Sequence, residues 1–396
     1  MKILIIEDDQ VVANIYRNKF AIEGFQAETA PDGVVGLELL QTFRPDVVLL
    51  DLVLPRVTGI EVMRQLRSQK DFEQVPVIVF SNTYLSNMVQ EAWKAGATKC
   101  LSKANCTPKQ VIEAVRSALK ITGAPASAAG KHTAKTSSPP ATEAPESSNE
   151  ADVEFQAQLR RDFIADLPNA LTLLRTLLQA LFKADNEAAR VKQIQELYRR
   201  ARSLSSNAGI AGAKQIATIA DALEALLKEL QEKPTNINAS TLRTVAAAID
   251  FMATLFERAA APDRLFPPAE ALVVDDEVIS RRAITFALDK ANLKSTSVED
   301  PLKALDLVAH KKFDLVFLDV DMPNMMGFEL CSKIRMLPAY AKTPVVFVTG
   351  LNDLESRANS TMSGGNDFIA KPFLFIELTV KALVHVLRSQ LNSQKQ

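Results

Sequence analysis

The sequence predicts a multidomain chain in which two doubly wound α/β domains, each with a five-stranded parallel sheet, flank an all-α helical bundle. Three observations support this prediction. The chain carries a long internal repeat, each copy alternates short apolar runs with helical stretches, and the intervening segment has apolar residues at helical spacing. With 396 residues, 47% of them hydrophobic, the chain can bury several cores.

The repeat is recognised from four matching segments. ILIIEDD at the N-terminus recurs as ALVVDDE, and DVVLLDLVLPRVTG recurs as DLVFLDVDMPNMMG. PVIVFSN and CLSKA recur as PVVFVTG and FIAKP. A constant offset of 268 positions separates Asp8 from Asp276, Asp51 from Asp319, Pro55 from Pro323, Gly59 from Gly327, Ser81 from Thr349, and Lys103 from Lys371. This period is far too long for a solenoid, so the repeat unit is a whole domain.

Apolar runs in the first copy fit buried strands, and the stretches between them fit helices. The pattern predicts strands at Lys2–Ile6, Val47–Leu50 and Val77–Phe80, and helices at Gln10–Glu23 and Val34–Phe43. Gly24 is placed to end the first helix, and Asp32-Gly33 is typical of a turn. Continuous apolar strands that alternate with helices favour a parallel sheet covered on both faces.

Composition predicts α/β domains at 1–122 and 269–392, a disordered linker at 123–152 and a four- or five-helix bundle at 153–262. The linker is rich in Ala, Ser, Thr and Pro and has almost no large apolar residues. The bundle carries one apolar stripe, made of Ile216, Ile219, Ala220, Leu223, Leu226, Leu227 and Leu230. Pro262–Pro268 is a short join, so we expect the bundle close to the second copy and the first copy on a long tether.

Charge and cysteine content exclude several classes of protein. Lys plus Arg is 46 and Asp plus Glu is 47, a balance that does not favour binding to nucleic acid. Cys100, Cys106 and Cys331 form no CxxC pair, which favours reduced thiols in the cytoplasm. The N-terminus does not fit a signal peptide, and no stretch approaches the ~20 apolar residues of a membrane span. We therefore expect a cytoplasmic protein that binds neither nucleic acid nor membrane.

Acidic residues follow the predicted strands of both copies. Parallel strands gather ligands beyond their carboxyl ends, where the strand order reverses. The acids at this edge are Glu7, Asp8 and Asp51 in the first copy and Asp275, Asp276 and Asp319 in the second. Mg²⁺ would offset their repulsion, because it takes oxygen ligands and commonly uses one or two carboxylates with phosphate oxygens. A third carboxylate could then attack a phosphoryl group and form an acyl phosphate, while the metal neutralises the charge.

A hydroxyl residue and a lysine complete each predicted site. Ser81 or Thr349 can donate a hydrogen bond to a phosphoryl oxygen, and Lys103 or Lys371 supplies a positive charge. Taken singly, such residues are more often helix caps or solvated surface. Their occurrence twice, in the same order and at the same spacing, favours the functional interpretation.

On these motifs, each copy resembles the receiver domain of bacterial two-component response regulators, which has a flavodoxin-like fold. The resemblance covers about Met1–Lys120 and Ala269–Leu391. It implies a Mg²⁺-dependent switch, charged by a histidine kinase or phosphotransfer protein, with Asp51 and Asp319 as phosphoacceptors. Beyond self-catalysed phosphoryl transfer and autodephosphorylation it implies no enzyme activity. The implied metal ligands are Glu7, Asp8, Asp51, Asp275, Asp276 and Asp319, joined by the carbonyls of Val53 and Asp321.

The two copies differ in how well they match this family. The second has Thr349, Lys371-Pro372 and the aromatic Phe368, which in the family moves together with the hydroxyl residue on phosphorylation. The first has Cys100 in place of the aromatic and Ala104 after the lysine. The family's lysine–proline bond is usually cis, and alanine makes a cis bond costlier by a few kcal/mol. We expect a different loop after Lys103 and an altered read-out there.

The bundle resembles a histidine phosphotransfer (HPt) domain. The stretch ARSLSSNAGIAGAKQIATIADALE has Arg202 at the position of the phosphorylated histidine, and the bundle contains no histidine. A guanidinium cannot form the phosphoramidate, so we expect no phosphate relay through this domain. Two interpretations remain open. The bundle is a spacer or dimerisation element, or it docks receivers without transfer, with Arg199, Arg200 and Arg202 lining the docking face.

The leading functional hypothesis is a response regulator that signals to a downstream protein target through protein–protein contacts, with formation of a homodimer left open. One alternative is a phosphatase of the haloacid dehalogenase type, because Asp319-Val320-Asp321 imitates its paired aspartates. Met322-Pro323 departs from that motif, and the upstream acidic pair would then have no role. The other alternative is a scaffold in which at least the first receiver is silent.

Overall fold

The structure is a computed structural model, and it describes residues 1–82, 86–122, 150–257, 268–350 and 363–393. The chain divides into two compact units, Met1–Asp166 with Ser205–Ala217, and Leu167–Leu204 with Thr218–Gln396. Most of the predicted linker and of the proline-rich join lies outside the described residues. The last three linker residues, 150–152, are helical, and the domain boundaries stay a prediction.

The first α/β domain forms a doubly wound parallel sheet, as predicted. Its strands are in the order β2-β1-β3-β4-β5, and every neighbouring pair is parallel. The elements are β1 (Lys2–Ile6), α1 (Gln10–Ile22), β2 (Gln26–Ala30), α2 (Gly33–Phe43), β3 (Val47–Leu50), α3 (Gly59–Ser68), β4 (Val77–Ser81), α4 (Ser86–Lys94), β5 (Lys99–Ser102) and α5 (Pro108–Thr122).

The apolar strands of this sheet are buried on both faces. Leu4 and Ile6 of β1 belong to one core cluster, while Ile3 and Ile5 belong to another. Successive side chains of a strand point to opposite faces, so a strand with helices on both sides has to be apolar at every position. The strand order reverses between β1 and β3, and this places the ends of those two strands at the topological switch point.

The segment around residue 32 differs from its prediction. We expected a turn at Asp32-Gly33, but Gly33 is the first residue of α2. The Asp32 carboxylate accepts hydrogen bonds from the amides of Val34 at 2.9 Å and Val35 at 3.0 Å. Asp32 is therefore an N-cap, which satisfies amides that a helix start leaves without partners. Gly24 does end the preceding helical segment, with a positive φ of 84°.

The bundle consists of α6 (Glu150–Phe182), α7 (Glu187–Ile210), α8 (Lys214–Glu232) and α9 (Ala239–Phe256). The predicted stripe on α8 is buried, with every member at most 3% exposed. Among the described residues, α9 is the one helix with the length and hydropathy of a membrane span, and half of it is buried. A core helix of a soluble protein has the same properties. The cytoplasmic location stays a prediction.

The second α/β domain repeats the architecture of the first. Its strand order is β7-β6-β8-β9-β10, and all neighbouring pairs are again parallel. The elements are β6 (Glu270–Val274), α10 (Val278–Lys290), β7 (Lys294–Val298), α11 (Pro301–His310), β8 (Leu315–Asp319), α12 (Gly327–Arg335), β9 (Val345–Thr349), β10 (Asp367–Ala370) and α13 (Phe375–Ser393). The Lys371-Pro372 peptide bond is cis.

Helix α9 packs against the second α/β domain through polar as well as apolar contacts. The hydroxyls of Ser240 and Thr244 donate to Glu377 Oε1 at 2.6 and 3.1 Å, and Glu377 is buried. The Arg243 guanidinium lies 4.8 Å from the centre of the Phe368 ring, a distance typical of a cation–π contact. The bundle thus contacts the aromatic residue that the sequence analysis singled out.

A glycine supports the loop after each central strand. A Cβ atom at Gly59 would lie 2.2 Å from the carbonyl oxygen of Asp51, and one at Gly327 would lie 2.0 Å from that of Asp319. The Gly59 amide donates to Leu52 at 3.0 Å, and the Gly327 amide donates to Val320 at 2.9 Å. Each helix start therefore packs directly against the backbone of the aspartate, and only glycine leaves room for this approach.

We expect Gly327→Ala to destabilise the loop after β8, because the new methyl group would collide with the Asp319 carbonyl. The cost should be about 1–3 kcal/mol, as for other overpacked sites. Native-state hydrogen exchange of peptides that cover β8 measures this cost. Gly350→Ala is the control, because a Cβ atom there has no neighbour within 4 Å. Equal protection of the β8 peptides from hydrogen exchange in both variants would contradict the packing argument.

Asp367, at the start of β10, is held by two basic side chains. Lys381 Nζ lies 2.7 Å and His385 Nε2 lies 3.2 Å from Asp367 Oδ2. Burial opposes ionisation of this carboxyl, but the hydrogen bond and charge of His385 and of Lys381 together outweigh it. They hold the pKa of Asp367 below its ordinary value.

We expect Asp367→Asn to destabilise the protein at neutral pH, with an effect that shrinks in acid. A lowered carboxyl pKa stabilises the fold above the ordinary aspartate pKa of about 4, and this contribution is lost as pH falls toward the folded-state pKa. The loss at pH 7 should be about 1–3 kcal/mol. Urea unfolding at pH 7 and at pH 3 measures it, with Asp306→Asn as an exposed control on α11. An effect that does not depend on pH would contradict this account.

Candidate functional site

Both predicted acidic clusters assemble at the carboxyl edge of their sheets. In the first domain, ligand atoms of Glu7, Asp8 and Asp51 all lie within 4.8 Å of one another. In the second domain, ligand atoms of Asp275, Asp276 and Asp319 also lie within 4.8 Å of one another. The structure therefore brings together all six carboxylates that the sequence analysis assigned to this edge.

The first-domain cluster is closed by Lys103, which directly follows β5. Lys103 Nζ lies 2.6 Å from Asp51 Oδ2 and 2.7 Å from Glu7 Oε2. The exposed fractions of Glu7, Asp51 and Lys103 are only 3%, 2% and 1%. Removing such charges from water is costly unless they pair with one another, and this geometry provides the pairing. Asp8 at the rim is partly exposed.

The second-domain cluster has the same pairing in a more open setting. Lys371 Nζ lies 2.8 Å from Asp319 Oδ2, 3.1 Å from Asp275 Oδ2 and 3.7 Å from Glu277 Oε2. The Lys371 side chain is 21% exposed, against 2% for Lys103. The lysine therefore reaches the carboxylate pair from a position that solvent can also reach.

Burial and neighbouring charges both shift the pKa values of the second cluster. Burial and the neighbouring Asp275 charge raise the pKa of Asp319 above its ordinary value, although the hydrogen bond from Lys371 opposes this. Burial would lower the pKa of Lys371, but Asp319 and Asp275 outweigh it and raise the pKa. Three carboxylates lie beside Lys371, and this excess of negative charge suits the cluster to bind a cation.

The two predicted hydroxyl residues end the strands beside the lysines. Ser81 is the last residue of β4 and Thr349 the last of β9, and each is 3% exposed. The Lys103 amide donates to the Ser81 carbonyl at 3.0 Å, and the Lys371 amide donates to the Thr349 carbonyl at 2.7 Å. Backbone pairing therefore fixes each hydroxyl residue next to its lysine.

Val53 and Asp321 lie two residues after Asp51 and Asp319. The Val53 amide donates to Asp51 Oδ1 at 3.2 Å, which places this residue at the rim of the first cluster. In the second domain the Val320 amide donates to Asp319 Oδ1 at 2.7 Å, and Asp321 is exposed. Coordination of a metal by the carbonyls of Val53 and Asp321 stays a prediction.

The donor set of both clusters fits Mg²⁺. Each offers carboxylate oxygens from three residues, and the ion prefers oxygen ligands with several retained waters. Two of the three acids follow the first strand of their domain. The third lies at the carboxyl end of the central strand, where Asp51 directly follows β3 and Asp319 is the last residue of β8. A cation held by the first two would lie beside an oxygen of the third, where a phosphoryl group could be attached.

Sequence analysis missed the groups that hold the acidic pair of the second domain in place. Ser280 Oγ donates to Asp275 Oδ2 at 2.5 Å, and Arg281 donates to the Asp275 carbonyl at 2.5 Å. The repeat could not reveal them, because Val12 and Ala13 occupy the equivalent positions of the first copy. The position of both residues in the first turns of the helix after the acidic pair was the available signal.

The arginines of α7 differ in exposure, and their role in docking stays a prediction. Arg199 and Arg200 are exposed and lie 3.6 and 2.8 Å from the carboxylate of Glu196 on their own helix. Arg202 is half-buried and has interactions of its own. The first two arginines are therefore mainly a solvated charged surface, and such surface pairs contribute little stability.

Individual proteins similar to this chain match it over part of its length. Response regulator MprA of Mycobacterium sp. (strain KMS) is 41% identical over 81 residues, which is 20% of this chain and 34% of MprA. The nisin biosynthesis regulatory protein NisR of Lactococcus lactis subsp. lactis is 31% identical over 121 residues, 31% of this chain and 52% of NisR. The chain thus spans about a third to a half of the length of these relatives.

Solved structures give the same kind of match. The chemotaxis response regulator CheY4 of Vibrio cholerae shares 30% sequence identity, over 30% of this chain and 99% of that chain, with a TM-score of 0.29. The receiver domain of the Francisella response regulator 1452 shares 26% identity, over 31% of this chain and 98% of that chain, with the same TM-score of 0.29.

Family models cover both α/β domains and the bundle between them. The model described as the response regulator receiver domain matches residues 3–116 and again 271–383, together more than half of the chain. The model described as the Hpt domain matches residues 158–254. The chain therefore belongs to the response regulator family, with two receiver domains that flank an Hpt domain.

Proposed function

We propose that this protein is a phosphorelay response regulator that accepts phosphoryl groups on Asp51 and Asp319 in a Mg²⁺-dependent reaction. The donor would be a histidine kinase or a phosphotransfer protein, and the output would be contact with a downstream protein. The observation that supports this most strongly is the paired geometry, in which each acceptor lies 2.6 or 2.8 Å from a lysine and within an acidic cluster.

Each group of residues has its own role in the proposed phosphoryl transfer. An Asp51 or Asp319 oxygen attacks phosphorus, so a P–O bond forms as the P–N bond to the donor imidazole breaks. When bound, Mg²⁺ would neutralise charge on the phosphoryl oxygens. Its ligands would be Glu7 and Asp8, or Asp275 and Asp276, with the acceptor and the carbonyl of Val53 or Asp321. Lys103 or Lys371 pairs with the oxygens, and Ser81 or Thr349 donates a hydrogen bond.

The second receiver has the more complete read-out. Thr349 and Phe368 are the pair that the family resemblance links to switching, and Arg243 of the bundle stacks on the Phe368 ring. A movement of this ring would change the contact with α9. The bundle is therefore the first element placed to respond to phosphorylation of Asp319. In the first receiver Cys100 replaces the aromatic, which is why a silent first receiver is the alternative to a double switch.

The Hpt domain would not relay phosphate. Arg202 stands where a phosphorylated histidine is expected, and residues 153–262 contain no histidine. This supports a role in contact and communication. A regulator with two acceptors and no internal donor could serve as an adaptor, a branch point or a phosphate sink.

We expect acetyl phosphate with Mg²⁺ to label two residues, because each cluster contains one nucleophilic carboxylate beside its lysine. Asp51→Asn should lose one label and Asp319→Asn should lose the other, so the double variant should carry neither. Removal of Mg²⁺ with EDTA should abolish labelling of the native chain. Intact-protein mass spectrometry counts the labels and peptide mapping assigns them. Asp306→Asn, an exposed α11 residue, is the matched control. Label that persists in the double variant would refute the proposal.

We also expect every label to be an acyl phosphate. Acyl phosphates are hydrolysed in base, whereas phosphoramidates of histidine survive base and are hydrolysed in acid. Complete loss of label at high pH would support acceptors that are aspartates and a bundle without relay. Base-stable label in residues 150–257 would contradict this, and rapid turnover of phosphate monoesters would instead favour the phosphatase alternative.

A further inference from the structure

The segment Ser205–Ala217, here called the α7–α8 segment, belongs to the same compact unit as the first receiver. Ile210 is 1% exposed and forms part of a receiver core cluster that also contains Val111 and Ile112 of α5. A side chain from outside the receiver therefore completes the apolar core on this side of the sheet. Burial of an aliphatic side chain of this size stabilises the contact between the segment and the receiver.

The closest approach of this segment is to the loop after Lys103. A Cβ atom at Gly209 would lie 2.0 Å from the carbonyl oxygen of Lys103 and 2.7 Å from Cα of Ala104. The two backbones therefore touch where a larger residue would keep them apart. Ala104 is 2% exposed. The loop that carries the acceptor-site lysine is covered by the α7–α8 segment.

The start of α6 contacts both the first receiver and the α7–α8 segment. Asp152 forms a hydrogen-bonded ion pair with Lys19 of α1, and Lys19 Nζ lies 5.3 Å from the centre of the Phe155 ring. Gln156 Nε2 donates to the Ile210 carbonyl at 2.8 Å, which joins α6 to the α7–α8 segment. Lys19 is 3% exposed, so this ion pair is largely shielded from solvent.

The corresponding loop of the second receiver is open. Pro372, the residue equivalent to Ala104, is exposed, and the Lys371 side chain is 21% exposed. The two acceptor sites thus share one chemistry and differ in whether a macromolecule can reach the loop beside the lysine. The covered loop is the one that has Ala104 in place of the proline found in the second receiver.

We propose that the α7–α8 segment is a resident partner of the first receiver and excludes phosphoryl-donor proteins from Asp51. A donor protein has to bring phosphorus to an oxygen that lies 2.6 Å from Lys103 Nζ, and the Lys103–Ala104 side of that site is already occupied. Small donors and Mg²⁺ still have access from the side of Asp8, which is partly exposed. The inference rests on the proposed phosphoacceptor role of Asp51.

The test compares two phosphoryl donors on the full chain. The small donor is acetyl phosphate, and the protein donor is a phosphorylated histidine phosphotransfer protein chosen because it charges Asp319. Acetyl phosphate should label both acceptors, because a small donor does not need the Lys103–Ala104 side of the site. The protein donor should label Asp51 about tenfold more slowly than Asp319, as expected if the open form is a ~10% minority.

Gly209→Leu should release the contact, because the new side chain collides with the Lys103 carbonyl. We expect the protein donor to label Asp51 about tenfold faster in this variant, with labelling of Asp319 unchanged. Hydrogen exchange at Lys103–Ala104 confirms release of the loop. Asp152→Ala is a milder second variant that removes the ion pair with Lys19, and Glu154→Ala, an exposed acid of the same helix, is its control.

The outcomes separate this inference from the proposed function. Equal labelling of Asp51 and Asp319 by the protein donor in the native chain would overturn the inference, as would an unchanged ratio in Gly209→Leu after the loop has been released. Failure of acetyl phosphate to label either aspartate would instead overturn the phosphoacceptor function, and the inference with it.

Discussion

Mutual repulsion of carboxylates at one end of each parallel sheet is the constraint on which the remaining features depend. Three acids come within 4.8 Å of one another in each receiver, and a single lysine lies close enough to pair with two of them. Such a cluster persists only where apolar strands, buried on both faces, fix the backbone positions of the acids. The excess negative charge at this edge favours a bound cation, and this is the basis of the proposed phosphoryl-transfer site.

The supporting structure around the acids is as informative as the acids themselves. Gly59 and Gly327 bring a helix start into direct contact with the backbone of Asp51 and Asp319. Arg56 and Asn324, at equivalent positions in the same loops, both have positive φ, 65° and 70°. The two loops thus share an unusual conformation although their side chains differ. Backbone geometry, more than side-chain identity, positions Asp51 and Asp319.

The sequence was sufficient to predict the sheets, the buried stripe of the bundle and the gathering of six acids at two strand edges. These features follow from the periodicity of apolar residues and from the repeat. Asp32 was predicted as part of a turn because an Asp-Gly pair suits both a turn and a helix cap, and the amides that it binds decide between them. Ser280 and Arg281 escaped notice because they differ between the copies.

Other features could not be predicted because they depend on contacts between segments far apart in sequence. Gly209 looks like one of several small residues in a helical stretch, and its role appears only when the Lys103 carbonyl is beside it. Glu377 looks like an ordinary surface acid of a last helix, yet it is buried and accepts hydrogen bonds from two hydroxyls of α9. Local patterns carry no information about such partners.

The unequal exposure of Lys103 and Lys371 affects how long an acyl phosphate would last at each proposed site. An acyl phosphate decays by attack of water, and water reaches the surroundings of Lys371 more easily than those of Lys103. Once charged, the shielded aspartate would retain its phosphoryl group longer than the open one. The two proposed acceptors of one chain would then differ in the lifetime of their phosphoryl groups, short at Asp319 and long at Asp51.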